Sequence, residues 1–147
     1  MRLVSERVST QGTHQWRMWK KKTTAFYGQS NVIVWLSKKI LAMIKNDEFK
    51  KGNVINVARI AGIMGAKQTS SLIPLCHNIG LDSSEINFRL LEEELEIVSI
   101  VQSEEKTGVE MEALTAVTIS ALTIYDMVKG MDKSVYIKDI FLLEKKG

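Results

Sequence analysis

Cysteine is almost absent from this chain of 147 residues, which has only Cys76. A single cysteine cannot form a disulfide within the chain, and no apolar segment follows a basic start, so nothing indicates secretion. Proline also occurs once, and the sequence shows no repeat, low-complexity tract or linker. We therefore expect a cytoplasmic protein that forms a single domain over residues 1–147.

Long apolar runs are missing as well. Residues 113–125 form the longest uncharged stretch of the C-terminal half, but Thr and Ser hydroxyls interrupt it, and a membrane span needs roughly 20 apolar residues. The net charge of +3 is too small by itself to indicate a nucleic-acid or membrane partner. The 45% of hydrophobic residues is typical of a soluble globular domain with its own core.

Residues 1–35 differ from the rest of the chain. They carry all three tryptophans and a basic run, without a sustained apolar period, so we treat them as a divergent segment apart from the core at 36–147. Trp16, Trp19 and Lys20 combine stacking surfaces with cations, as nucleic-acid-binding proteins do. A solvated basic segment is the simpler interpretation, and we expect no nucleic-acid partner.

Two helices are predicted in the first half of the core. Leu36, Ile40 and Ile44 recur at helical spacing, and Asn46 ends the pattern. Asn53 has the position of an N-cap for a second helix. The apolar residues that follow it share one helical face and include Val54, Val57, Ala58 and Ala61. Small residues at 61, 62, 65 and 66 would let another backbone approach this helix closely.

Three strands are predicted after the loop at residues 73–77. Ile86, Phe88 and Leu90 alternate with polar residues, which indicates a half-buried strand. Three glutamates then precede a β-prone run at 95–101, so these two strands form a hairpin around an acidic turn. The last strand, over residues 135–142, changes phase near Asp139, which predicts a bulge. Helices against an antiparallel sheet define an α+β protein.

The longest predicted helix begins with the pair Thr107 and Glu110 and runs to Val128, with Gly130 as its stop. It is apolar nearly all round, so its charged residues need an explanation. Thr107 and Glu110 have capping-box spacing. The other simple explanations are that Lys129 complements the helix C-terminus or pairs with Asp126.

Glu112 has no such simple explanation. It shares a helix face with Asp126 but lies about 20 Å away along the axis, so one straight helix cannot bring both to one small site. If both are functional, the site is built from two chains, and we predict a homo-oligomer with its site at an interface.

Two further features could carry chemistry. Lys51 and Gly52 precede the predicted start of the second helix, where backbone N–H groups favour an anion, although a solvated turn is the more common case. Cys76 and His77 are adjacent without a second cluster, so we expect no metal site. His77 is either a structural histidine or a group that transfers protons near neutral pH.

Six motifs in this order resemble the molybdenum cofactor biosynthesis protein C family of cyclic pyranopterin monophosphate synthases. The resemblance covers residues 37–146 and is most specific over 107–129. The motifs are Lys51-Gly52-Asn53-Val54, Ala58-Arg59-Ile60-Ala61-Gly62-Ile63, Ala66-Lys67-Gln68-Thr69-Ser70, Leu72-Ile73-Pro74-Leu75-Cys76-His77, Thr107-Gly108-Val109-Glu110-Met111-Glu112-Ala113-Leu114-Thr115-Ala116 and Ala121-Leu122-Thr123-Ile124-Tyr125-Asp126-Met127-Val128-Lys129.

The resemblance implies a ferredoxin-like α+β subunit in a hexamer of three dimers, with active sites at the dimer interface. The implied enzyme is a lyase of molybdenum cofactor biosynthesis. It converts 3′,8-cyclo-7,8-dihydro-GTP, supplied by a radical GTP cyclase, into cyclic pyranopterin monophosphate and pyrophosphate. No cofactor is implied as required, and Mg²⁺ bound with the triphosphate is the open alternative.

The resemblance also implies roles for individual residues. Asp126 corresponds to the active-site acid, Lys51 and Lys129 to catalytic lysines and His77 to a further catalytic residue, while Glu110 and Glu112 line the site. The implied substrate contacts are Leu75, Cys76, His77, Glu110, Met111 and Glu112.

Two segments depart from the family. Before its first helix the family has a Met-Val-Asp-Val type segment and then an arginine-containing stretch, where this chain reads Gln15-Trp16-Arg17-Met18-Trp19. At the other end, the chain reads Lys145-Lys146-Gly147 where the family continues with glycine and serine. The alternative function is therefore a catalytically impaired oligomeric scaffold of the same fold.

Overall fold

A computed structural model describes residues 25–147, and the basic Trp-rich cluster at 16–22 lies outside them. The described chain contains four strands and four helices. In chain order they are β1 (Phe26–Trp35), α1 (Lys38–Lys45), α2 (Val54–Lys67), α3 (Thr69–Leu72), β2 (Ser83–Leu90), β3 (Glu94–Ser103), α4 (Glu110–Val128) and β4 (Tyr136–Lys146).

The strands form one antiparallel sheet in the order β2-β3-β1-β4, with the helices on one face. This order is that of the ferredoxin-like fold, so the predicted α+β class is confirmed. The hairpin around the acidic turn is confirmed too, since Leu90 pairs with Leu95. The bulge in β4 is confirmed at Asp139, which has a positive φ of 56° next to a register shift.

Strand β1 is the strand that the sequence analysis missed. It lies inside the segment at 1–35 that was set apart from the core, yet it is a central strand, paired with β3 on one side and β4 on the other. The separation at residue 35 was therefore wrong for β1. Residues 30–34 are all buried, so the period-2 alternation of a half-exposed strand is lost. Buried Ser30 and Asn31 interrupt the apolar run as well.

The predicted N-cap of the second helix is confirmed, and the structure adds a cap for the first. Ser37 caps α1 by accepting a hydrogen bond from the backbone N–H of Ile40 at 3.3 Å. Asn53 caps α2 by accepting from the N–H of Asn56 at 2.8 Å. These short polar side chains satisfy donors that the first helical turn leaves free, which explains why the helices begin there.

Helix α4 is held between the sheet and α2. Gly62 of α2 lies so close to it that an added Cβ would come within 2.9 Å of the Ala116 carbonyl oxygen. The Ser120 hydroxyl donates a hydrogen bond to the Ala58 carbonyl at 2.9 Å across the same contact. The predicted close approach of a second backbone to α2 is therefore confirmed, and it seats the middle of α4 firmly.

The apolar character of α4 follows from this position. The helix is long and apolar enough to cross a membrane by length and composition alone, but 56% of its most apolar window is buried within the protein. Its Ala113, Val117 and Ile124 are fully buried. We therefore assign it as the core helix, whose two ends present charged groups at opposite ends of the domain.

Candidate active site

Lys51, Asp126 and Lys129 come together at the C-terminal end of α4, and we call them the cationic cluster. The Lys129 ammonium lies 2.9 Å from a carboxylate oxygen of Asp126, so the ion pair considered from their spacing is present. Lys51, in the turn before α2, is close enough to act electrostatically on Asp126. All three side chains are exposed, so this cluster is open to a ligand or to a second chain.

The charges of the cationic cluster favour each other's ionised forms. The hydrogen bond and charge of Lys129 lower the pKa of Asp126, and Lys51 adds to this effect. Asp126 in turn raises the pKa of Lys129. Asp126 therefore favours its ionised form beside the two ammonium groups. In this arrangement the lysines can hold a phosphate, or Asp126 can orient one of them for proton transfer.

The opposite end of α4 carries Glu110, Met111 and Glu112. The capping box predicted for Thr107 and Glu110 is wrong, because Val109 occupies the N-cap position and no side chain caps the helix. Glu110 instead pairs with Lys145 of β4, whose ammonium lies 3.1 Å from its carboxylate. Tertiary contact with the edge strand has thus replaced the local cap.

The two glutamates at this end differ in their environment. Glu112 is buried, with 5% of its surface exposed, and burial raises its pKa, with a further contribution from the Glu110 charge. Partial burial also opposes ionisation of Glu110, but its own backbone N–H and Lys145 outweigh that effect and lower its pKa. Two carboxyl groups with pKa values moved apart can serve as a proton donor and a proton acceptor in one site.

The loop that bears Leu75, Cys76 and His77 belongs to this same end of the domain. Ile79 and Leu81, further along the loop, pack against the buried cluster of Val101, Val109 and Ala113 at the start of α4. The Ser103 hydroxyl donates a hydrogen bond to the Gly80 carbonyl at 2.6 Å. His77 and Leu75 are exposed, so the loop is anchored behind them and they remain accessible.

The residues predicted for the site therefore form two groups. One group contains the loop at 75–77 with Glu110, Met111 and Glu112, and the other is the cationic cluster. Glu112 and Asp126 are separated by about 20 Å along a continuous helix, at about 1.5 Å per residue. Within one chain the structure does not bring the two groups together.

Metal ligands do not cluster in the part of the chain that the structure describes. Residues 25–147 contain no group of three or more His, Cys, Asp or Glu side chains arranged to hold an ion. Cys76 and His77 stay adjacent without a second pair of ligands.

Lys145 is the residue near the site that sequence reasoning missed. It appeared only in the C-terminal segment that departs from the family. Its contact with Glu110 spans 35 positions, so no helical or strand period could reveal it. The one available signal was a basic residue on an edge strand, which is common on protein surfaces.

The structure defines an α+β protein whose sheet has the ferredoxin-like strand order. This protein carries ionisable groups at both ends of its buried helix. The family model described as the MoaC family matches residues 17–147. The chain belongs to the MoaC family. The match begins well before residue 37, where the resemblance of the motifs began.

Relatives in this family share a common name. A cyclic pyranopterin monophosphate synthase of Peptoclostridium acidaminophilum is 51% identical over 112 residues, which cover 76% of this chain and 71% of the relative. The protein of that name from Heliobacterium modesticaldum is 54% identical over 106 residues, covering 71% and 67%. Cyclic pyranopterin monophosphate synthase 2 of Mycobacterium tuberculosis is 44% identical over 128 residues, covering 87% and 77%.

Proposed function

We propose that this protein is a cyclic pyranopterin monophosphate synthase of molybdenum cofactor biosynthesis. The observation that carries the proposal is its 51% identity over 112 residues to a protein of that name. The reaction takes 3′,8-cyclo-7,8-dihydro-GTP, the product of a radical GTP cyclase, to cyclic pyranopterin monophosphate and pyrophosphate. This is lyase chemistry on a small-molecule substrate in the cytoplasm.

The chemistry suits the groups at both ends of α4. Opening the purine imidazole, closing the pterin ring and forming the cyclic phosphate all require proton transfers. Glu110 and Glu112 have the shifted pKa values that such transfers use. Lys51 and Lys129 supply positive charge for a triphosphate or a protonated amine as donor, and Asp126 orients or deprotonates one of them.

We propose further that each active site is shared between two chains of a homo-hexamer built from three dimers. The separation of about 20 Å between Glu112 and Asp126 supports this arrangement, because one chain cannot present both to a substrate of nucleotide size. The start of α4 in one chain then lies near the end of α4 in its partner. No resident metal or cofactor enters the proposal, except that Mg²⁺ can accompany the triphosphate.

Product formation tests the function directly. The purified full chain is incubated with 3′,8-cyclo-7,8-dihydro-GTP, and pyrophosphate and the cyclic pterin phosphate are followed by mass spectrometry. We expect both products, and we expect Lys51→Ala and Lys129→Ala to lower the rate by about 100-fold or more. Lys50→Ala, which changes an exposed neighbour of Lys51, is the matched control and should keep wild-type activity.

Two results would contradict these assignments. Absence of product from a folded wild-type oligomer would refute the synthase proposal and favour a scaffold that has lost catalysis. Product at the wild-type rate from both lysine variants would leave the reaction intact but refute the roles given to Lys51 and Lys129.

A further inference from the structure

The ion pair between Lys145 and Glu110 joins the edge of the sheet to the start of α4. Lys145 lies on β4 opposite Gly28 of β1, and its ammonium reaches 3.1 Å from Glu110 Oε1. Both side chains are partly exposed, at 47% and 32%. An ion pair at such exposure contributes little to folding stability, so its geometry is of more interest than its strength.

The second oxygen of Glu110 packs against Gly108. Glu110 Oε2 is buried, and a Cβ at position 108 would collide with it. The same Cβ would lie 3.4 Å from Lys145 Cε, which is ordinary van der Waals contact. Gly108 is therefore a position at which the Glu110 carboxylate can be displaced while Lys145 is retained.

Glu110 stands two residues before Glu112 and at the same end of the domain as the loop carrying His77. Lys145 therefore holds a carboxylate that lies among the residues proposed to contact the substrate.

We propose that Lys145 is a positioning residue of the active site, which holds the Glu110 carboxylate in place through Oε1 for its contact with the substrate. This inference rests on the proposed function for the identity of that substrate. The charged groups that act on Glu110 are Lys145 from β4 and Glu112 from its own helix. On β1, the residue that packs against the Val109 backbone next to this turn is Gly28, which carries no charge.

Kinetics of three variants test the proposal in the full-length oligomer. Lys145→Met should lower kcat by about 10- to 100-fold, with a smaller change in KM, because Glu110 loses its fixed orientation. The acidic limb of kcat/KM should move to higher pH, because the pKa of Glu110 rises without the neighbouring ammonium. Lys145→Arg should restore most of the activity.

Lys146→Met is the matched control. Lys146 is the next residue on β4 and pairs with Glu144 at 3.2 Å, away from Glu110. We expect its kinetics and pH profile to match the wild type. Equal effects of Lys145→Met and Lys146→Met, or loss of activity in Lys145→Met without movement of the acidic limb, would overturn the positioning role.

A measurement without substrate separates this proposal from the proposed function. Titration of the ¹³C-labelled Glu110 carboxyl by NMR should show a higher midpoint in Lys145→Met than in wild type or Lys146→Met. An unchanged midpoint would overturn the proposal even in an active enzyme. A raised midpoint in a protein that makes no product would support the contact while refuting the synthase.

Gly108→Ala keeps the test decisive if Lys145→Met fails to fold. The added methyl group collides with Glu110 Oε2, whereas it meets Lys145 Cε only at 3.4 Å. We expect the same loss of kcat as in Lys145→Met. Wild-type kcat in Gly108→Ala would show that the position of the Glu110 carboxylate is unimportant and would overturn the proposal.

Discussion

The two ends of α4 carry comparable charges in contrasting surroundings. At its start, Glu112 is buried and Glu110 is held by a strand that is distant in sequence. At its end, Asp126 and Lys129 form a local pair three residues apart on the open surface. The first group is oriented by the fold of its own chain, whereas in the second the ion pair is local and Lys51 acts on Asp126 through its charge.

This difference bears on how a site can be completed. Buried carboxyl groups change their pKa because burial disfavours charge, so the carboxyl pKa values at the start of α4 are shifted before any ligand arrives. Exposed lysines keep their charge and mobility, which suits them to a polyanion that approaches from solvent or is presented by another chain. The middle of α4, seated against α2, keeps the two groups apart.

The largest expected effect comes from mixing two defective chains. Glu112→Gln and Lys129→Ala should each retain about 1% of activity or less, whereas random co-assembly should recover about a quarter of wild-type activity, because half of the dimers are mixed and each has one intact shared site. A mixture of Lys51→Ala and Lys129→Ala, altered at the same end, is the control and should stay inactive. No recovery in the first mixture would show that each chain builds its own site.

A smaller effect is expected from disturbing the middle of α4. Gly62→Ala places a methyl group within 2.9 Å of the Ala116 carbonyl and against Ile86, so it should lower the free energy of unfolding by about 1–3 kcal/mol. Gly130→Ala, where an added Cβ meets nothing within 4 Å, should change it by less than about 0.5 kcal/mol. Urea unfolding at one chain concentration measures both. Equal stability of the two variants would contradict tight seating of α4 on α2.

The smallest expected effects are opposite pH dependences of the two glutamates. Glu112 has a raised pKa, so its contribution to stability is present below the ordinary glutamate pKa and is lost as pH rises through the raised value. Glu110 has a lowered pKa, so its contribution is present above the ordinary value and is lost as pH falls through the lowered one.

Urea unfolding of Glu112→Gln and Glu110→Gln across the acidic range measures these slopes. The wild type should lose stability relative to Glu112→Gln as the pH rises. It should lose stability relative to Glu110→Gln as the pH falls. Slopes of the same sign in both variants would mean that the two carboxyl groups share one environment.

Much of the fold was predictable where the signal is local. The cap position of Asn53 comes from a side chain that bonds within one turn, and the bulge at Asp139 appears as a break in a period of two. Strand β1 could not be found in this way, because burial on both faces removes the alternation. The capping box at Thr107 failed because a tertiary ion pair competed for Glu110.

The sequence by itself determined which residue types stand at which ends of α4, since helical rise and rotation are nearly constant. It therefore determined that Glu112 and Asp126 lie far apart. Only the tertiary structure decided that the loop of His77 lies at the start of α4, that Lys51 joins Asp126, and that Lys145 reaches Glu110. These contacts join distant segments through sheet order and helix packing, and no local period in a sequence records them.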